Sequence, residues 1–245
     1  MNKIRLLQEL EKRNIHCSDQ QLSLLLEYMR LVLEANQHFN LTAIKDEESF
    51  IEKMIFDSAL LLNNQNFENQ TIVDIGTGAG FPSIVLAILS PNAHIVAIDS
   101  TAKKINFIHE FVKEKGLNVE TIAERVEDYA KEHREEYLLV TARAVASLRV
   151  LLELAVPMLR CGGHLIAMKG PDFENEIQDA QSAMKKLKVE IDYIYEDQLP
   201  ESEESRYFIY LKKLGPTPKK YPRTFGESKI NHYNLNYFYY IKIGI

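Results

Sequence analysis

The chain has 245 residues, 26% of them charged and 46% hydrophobic, and a formal net charge of −6 at pH 7. That length fits one large α/β domain with an added segment and buries enough surface to fold without a disulfide or a metal. The negative balance excludes a protein that coats nucleic acid over its whole surface, yet leaves room for one positive face, because acid gathers in Glu190 to Glu204 and base near Lys219, Lys220, Arg223 and Lys229. Cys17 and Cys161 are the only cysteines and form no CxxC pair, so they are expected to be reduced thiols of a cytoplasmic protein. No run approaches the roughly 18 consecutive apolar residues of a membrane span, and the start lacks a signal-peptide core. The seven histidines form no metal-binding pattern, so no metal is expected.

Residues 1–65 are predicted to be an N-terminal helical segment. Leu22, Leu25, Leu26, Met29 and Leu33 fall on one helix face, and Ser18 with Gln21 has the spacing of a capping box. Phe50, Met54, Ile55, Ala59 and Leu62 make a second amphipathic run, and the polar stretch Asn36 to Ile44 separates the two. His38, beside Phe39, is expected to pack on the surface; stacking on a base is the sharper alternative.

Residues 66–213 are predicted to be an alternating α/β core. Strands are expected at Thr71–Ile75, His94–Ile98, Val119–Ala123, Tyr137–Ala142, Gly163–Met168, Val189–Tyr195 and Tyr207–Leu211. Helices are expected at Gly80–Ser90 with Pro82 in the first turn, Thr101–Lys115 stopped by Gly116, Ser147–Leu159 and Asp172–Leu187. Crossover helices imply a doubly wound, mostly parallel sheet of seven strands, and the missing helix between the last two strands implies one antiparallel pairing. Cys161 is expected to precede a Gly-Gly turn. Residues 214–245 form a tail, basic at first and then rich in Tyr and Asn.

Val73-Asp74-Ile75-Gly76-Thr77-Gly78-Ala79-Gly80-Phe81 carries the main chemical signal. The glycines permit positive φ and let a ligand approach the backbone, at the strand ends where doubly wound sheets bind ligands. Asp99 closes the second strand, where a carboxylate can accept both hydroxyls of an adenosine ribose. A dinucleotide site would favour GxGxxG, and an acid at Asp74 suits a pyrophosphate poorly. The GxGxG spacing therefore favours S-adenosylmethionine over a nicotinamide cofactor. D-x-G-x-G-x-G resembles motif I of the class I methyltransferases.

The acceptor is less legible. No Asn-Pro-Pro-Tyr or Asp-Pro-Pro-Tyr follows the fourth strand, as it does in enzymes that methylate exocyclic amines, and no Pro-Cys or Thr-Cys pair stands ready to attack a pyrimidine. Arg143 and Lys169 end the fourth and fifth strands, where cations suit a phosphate-bearing substrate. Another RNA, a small-molecule acceptor and, further off, an oxidoreductase remain compatible with these residues. The basic tail residues Lys219, Lys220 and Arg223 are expected to fold back beside Arg143 and Lys169 as one positive patch.

A wider set of residues resembles the bacterial RsmG family, also called GidB, whose members methylate guanine N7 in small-subunit ribosomal RNA. The resemblance rests on Asn40-Leu-Thr-Ala-Ile44, Asp57-Ser58, Asp74 to Pro82 and Asp99-Ser100 with Lys103-Lys104. It continues through Thr141-Ala-Arg-Ala-Val-Ala-Ser-Leu148, Lys169-Gly170 and Lys220-Tyr-Pro-Arg223. It implies a monomeric enzyme that takes S-adenosylmethionine and acts on 16S ribosomal RNA, guanine 527, in a small-subunit particle. It implies a cofactor pocket lined by Gly76, Phe81, Val126, Glu127 and Arg143, alongside Asp74, Gly78, Gly80, Asp99 and Ser100. It places Asn40, Lys104, Arg143, Lys169, Lys220 and Arg223 toward RNA. No catalytic base is expected, because guanine N7 carries no proton. The tail departs from the family after Gly226 in its Tyr/Asn-rich run from Ile230 to Tyr240.

Overall fold

The structure is a computed structural model that describes residues 1–63 and 65–229. The Tyr/Asn-rich run from Ile230 lies outside them. The N-terminal segment consists of α1 (Lys3–Lys12), α2 (Asp19–Ala35), α3 (Glu47–Phe50), a π-helical stretch Ile51–Phe56, α4 (Asp57–Ala59) and a 3₁₀ turn Leu60–Asn63. Ser18 caps α2 as expected: its hydroxyl accepts from the Gln21 N–H while the Gln21 side chain accepts from the Ser18 N–H. The second amphipathic run is thus not one α-helix. It widens into a π turn, a form frequent at functional sites.

The core runs β1 (Thr71–Ile75), α5 (Ser83–Leu89), β2 (His94–Asp99), α6 (Ala102–Lys115), β3 (Val119–Ala123), α7 (Val126–Glu132) and β4 (Tyr137–Arg143). It continues with α8 (Leu148–Ala155), a 3₁₀ turn Val156–Met158, β5 (Leu159–Lys169), α9 (Phe173–Leu187), β6 (Val189–Gln198), β7 (Ser205–Lys213) and α10 (Phe225–Lys229). The seven strands lie in the order β3-β2-β1-β4-β5-β7-β6. β1 to β5 are parallel, and β7 inserts antiparallel between β5 and β6. The expected sheet, with its antiparallel closing strands, is present.

Three local expectations need correction. The helix after the glycine loop starts at Ser83, not Gly80, because Gly76, Gly78 and Gly80 all take positive φ and hold the chain in turns up to Phe81. α7 was not anticipated; at seven residues it is too short for a clear amphipathic period. β5 begins at Leu159, so Cys161 lies within the strand and not before a separate turn.

Alternate residues of the strands feed two cores. Ile72, Ile95 and Ile166 face one side and pack with α1 to α6, including Leu6, Leu25, Phe56 and Ile84. Val73, Val96 and Leu165 face the other and pack with α7 to α9 and Tyr221. The strand order reverses between β1 and β4, which opens a crevice at their carboxyl ends. No helix among the described residues is long and apolar enough to cross a membrane.

Candidate functional site

A cleft of about 1090 Å³ fills this crevice. Its floor is the glycine loop. Thr77 N–H donates to the Ile98 carbonyl at 3.0 Å, tying the loop to β2, and the Gly80 and Phe81 N–H groups both reach the Thr77 carbonyl. At Gly76 (φ +67°) a Cβ would stand 2.6 Å from Val145 Cγ2, whereas at Gly78 (φ +60°) the nearest atom would be 3.9 Å away, leaving open space for a ligand. Asp99 accepts from the Gly78 N–H at 3.0 Å and from the Thr101 N–H at 2.8 Å. The aspartate predicted to hold ribose therefore also fixes the loop that a cofactor would rest on.

Ten of the expected residues come together in the cleft wall: Gly76, Gly78, Phe81, Asp99, Ser100, Lys104, Val126, Glu127, Arg143 and Lys169. Asp74 and Gly80 do not line it. Asp74 is fully buried beneath the loop, where its carboxylate accepts from Ser83 Oγ at 2.6 Å and Thr141 Oγ1 at 3.3 Å. Burial pushes its pKa up to about 6, against those hydrogen bonds. Gly80 (φ +84°) is a packing position: a Cβ there would meet Tyr28 Oη at 2.6 Å and Ile84 Cγ1 at 2.9 Å. Tyr28 Oη donates to the Ala79 carbonyl at 2.9 Å, so α2 also braces the loop.

Part of the cleft wall is built by chain segments the sequence did not connect. Arg143 turns toward the π-helical stretch: Nη1 donates to the Lys53 carbonyl at 2.9 Å, and Nη2 lies 3.2 Å from Met54 Sδ. Asp57 stands between two guanidiniums, 3.4 Å from Arg143 Nη1 and 3.2 Å from Arg206 Nε. Burial raises its carboxyl above the usual range, while the two arginines pull the other way. Lys169 donates to Glu176 at 2.7 Å and to the Ala146 carbonyl at 2.8 Å, and Glu176 also accepts the Leu148 N–H. That pair shapes the loop Ala144–Ser147, which leaves β4 with a positive φ at Ala144. Asp57, Arg125, Glu176 and Arg206 were missed as cleft residues. Only Asp57 carried a signal, as half of the Asp57-Ser58 pair.

The remaining expected residues lie elsewhere. Asn40 lines a second cavity next to the cleft. Lys220 and Arg223 line neither cavity. The tail packs on α8 instead: Arg223 pairs with the fully buried Glu153, and Arg149 donates to the Ser228 carbonyl at 2.8 Å. The expected patch joining Arg223 to Arg143 and Lys169 is thus corrected, since Arg223 is held against a carboxylate and does not reach the cleft. Among the described residues no cluster of His, Cys, Asp and Glu could hold a metal ion.

The cleft fits S-adenosylmethionine. Asp99 stands where a ribose diol would hydrogen-bond, Gly76 and Gly78 form a cradle that side chains would narrow, and buried Glu127 adds a second acid unsuited to a pyrophosphate.

Comparison with known proteins agrees. Residues 21–202 match the profile of the family described as GidB, rRNA small subunit methyltransferase G. The ribosomal RNA small subunit methyltransferase G of Lactobacillus acidophilus is 41% identical over 235 residues, covering 94% of this chain and 98% of the relative. The protein of the same name from Thermoanaerobacter sp. is 41% identical, with 80% and 84% covered. Among solved structures, M. jannaschii TYW2 in complex with AdoMet superposes with a TM-score of 0.56 at 16% identity, covering 70% of this chain and 80% of that one. A putative transferase from Pyrococcus horikoshii gives 0.51 at 12% identity, covering 64% and 61%. At such identities these structures show a shared fold.

Proposed function

The chain belongs to the rRNA small subunit methyltransferase G family, and from that premise we propose that it methylates N7 of a guanine in 16S ribosomal RNA, at guanine 527. S-adenosylmethionine-dependent methylation of small-subunit ribosomal RNA is the activity of the family; the acceptor atom and nucleotide are our reading. We further read the enzyme as a cytoplasmic monomer that meets its substrate in a small-subunit particle.

The observation that carries the N7 reading is the state of the cleft carboxylates. Asp57 is flanked by Arg143 and Arg206, Glu127 by Arg125 and Glu176 by Lys169, and Asp99 accepts two backbone N–H groups. The fifth cleft carboxylate, Asp172, accepts from the Asn175 side-chain amide, so each of the five already faces a cation, a backbone N–H or a side-chain amide. Guanine N7 presents a lone pair and needs no base. The bound cofactor supplies an already activated methyl group. The residues of the chain then have to align the base edge with it and exclude water. Arg143 is assigned to holding the π-helical stretch in register with β4, and Lys169 to holding the loop Ala144–Ser147, each through the contacts above. Both shape the pocket into which the base would enter.

Borohydride and aniline cleave RNA at N7-methylguanine. Small-subunit RNA from cells lacking this protein is expected to lose one cleavage site near position 527. An unchanged pattern would refute the assignment.

A further inference from the structure

Positive charge around the cleft is unevenly compensated. Among the described residues six cations line it, and five of them stand against carboxylates: Lys53 against Glu204, Arg125 against Glu127, Arg143 and Arg206 against Asp57, and Lys169 against Glu176. The sixth, Lys104, has no carboxylate partner among the described residues. Its neighbour Lys103 places Nζ 4.2 Å over the Phe39 ring, and Phe39 packs edge-on against Phe107 with ring centres 6.2 Å apart. The start of α6 is thereby joined to the loop 36–45, a ten-residue stretch with no Asp or Glu in an otherwise acidic chain.

That loop encloses the second cavity, about 730 Å³, inside the roughly 300–1,000 Å³ range of small-ligand sites. Gln37, Asn40, Thr42, Ala43 and Lys45 line it, and Leu41 lines both it and the cleft. Asn36 holds the loop in shape: its Oδ1 accepts from the Leu41 and Thr42 N–H groups at 2.8 and 3.0 Å, and its Nδ2 donates to the Thr42 carbonyl at 2.9 Å. The side-chain amides of Gln37 and Asn40 are exposed and make no hydrogen bond within the described residues. Each offers one donor group and one acceptor, the pattern of a base edge. The cavity thus combines a fixed frame, an apolar wall at Leu41, free amides and one cation, Lys45.

We infer that the loop 36–45 and the start of α6 form a second RNA subsite, in which this cavity receives an unpaired nucleotide flanking the target guanine while Lys103 and Lys104 take phosphates. The inference rests on the reading of the substrate as ribosomal RNA. Presenting a base edge for chemistry takes it out of its stack and leaves a neighbour exposed. Sequence-specific RNA recognition works on such splayed bases. Because the two cavities meet at Leu41, adjacent nucleotides of one strand can enter both.

The test uses the full chain and unmethylated small-subunit particles. Their affinity is measured across a salt series for the unaltered protein, for Lys103→Ala with Lys104→Ala, and for Lys220→Ala with Arg223→Ala. The first pair is expected to flatten the logarithmic salt slope by about 1.4, at about 0.7 per phosphate, and the tail pair to leave it unchanged. In a second arm, particles carry an abasic site at each nucleotide flanking the target in turn. One abasic position is expected to lower kcat/KM about tenfold, roughly one or two lost hydrogen bonds. Gln37→Ala with Asn40→Ala should cost a similar factor on intact particles and nothing further on that abasic particle. Independent, multiplying losses in the second arm would overturn the subsite, as would an unchanged slope for the lysine pair. If the lysine variant fails to fold, the amide variant decides. Failure of the unaltered protein to methylate intact particles would refute the ribosomal RNA reading itself, whereas methylation without these effects refutes only the subsite.

Discussion

Replacing Asp74 by Asn should change the pH dependence of stability in a way that the site's geometry fixes in advance. The carboxylate is fully buried between Ser83 Oγ and Thr141 Oγ1, and burial lifts its pKa to about 6. In the unfolded chain an aspartate titrates near pH ~3.9. The folded state therefore binds the proton more tightly. The stability this provides is complete below about pH 4 and is lost as pH rises through about 6. The loss accumulates at about 1.4 kcal/mol per pH unit and totals about 3 kcal/mol. The Asp74→Asn variant would carry no such loss, and its side-chain amide can still accept from the Ser83 hydroxyl and donate to the Thr141 hydroxyl. Urea unfolding of both proteins from pH 4.5 to 7.5 measures the difference directly, and other titrating groups cancel in the subtraction. The stability of the variant relative to the parent should rise with pH up to about 6 and then level off. A difference that is flat, or that falls with pH, would refute the claim that this carboxylate is held against its own ionisation.

Other substitutions probe the remaining supports. Asp99→Ala removes the carboxylate we propose accepts the ribose hydroxyls, together with the anchor of the Gly78 N–H; calorimetry with S-adenosylhomocysteine should show affinity falling by about 10–100-fold, from charged hydrogen bonds worth roughly 1.5–3 kcal/mol each. Gly80→Ala forces a Cβ within 2.6 Å of Tyr28 Oη at φ +84°; thermal unfolding should show a loss of about 2 kcal/mol. Arg223→Ala weakens the compensation of the buried Glu153 carboxylate; denaturant unfolding should show about 3 kcal/mol of destabilisation, with cofactor affinity spared because the pair lies outside the cleft.

The architecture was readable because its determinants are local and periodic. The alternating apolar strands, Gly116 as a left-handed helix stop and the Ser18–Gln21 capping box each act over a few residues. The glycine loop was legible for the same reason, as was the position of Asp99 at the end of the second strand. What the sequence concealed is long-range. Asp57, Arg143 and Arg206 come from three separate segments, and nothing along the chain says that one carboxylate serves two arginines. Asp74 was misplaced because an acid two residues before a glycine reads alike whether it faces a ligand or props the loop from below. Arg223 was misplaced because charge density cannot reveal a buried partner 70 residues away.

Methylation at guanine N7 can be read by incubating the purified protein with unmethylated small-subunit particles and isotope-labelled S-adenosylmethionine, digesting the 16S RNA to nucleosides and separating them by mass. Label is expected in 7-methylguanosine alone, and it should be lost when Asp99 is replaced by Ala at limiting cofactor. Label in any other methylated nucleoside, or none in the RNA, would contradict the N7 assignment.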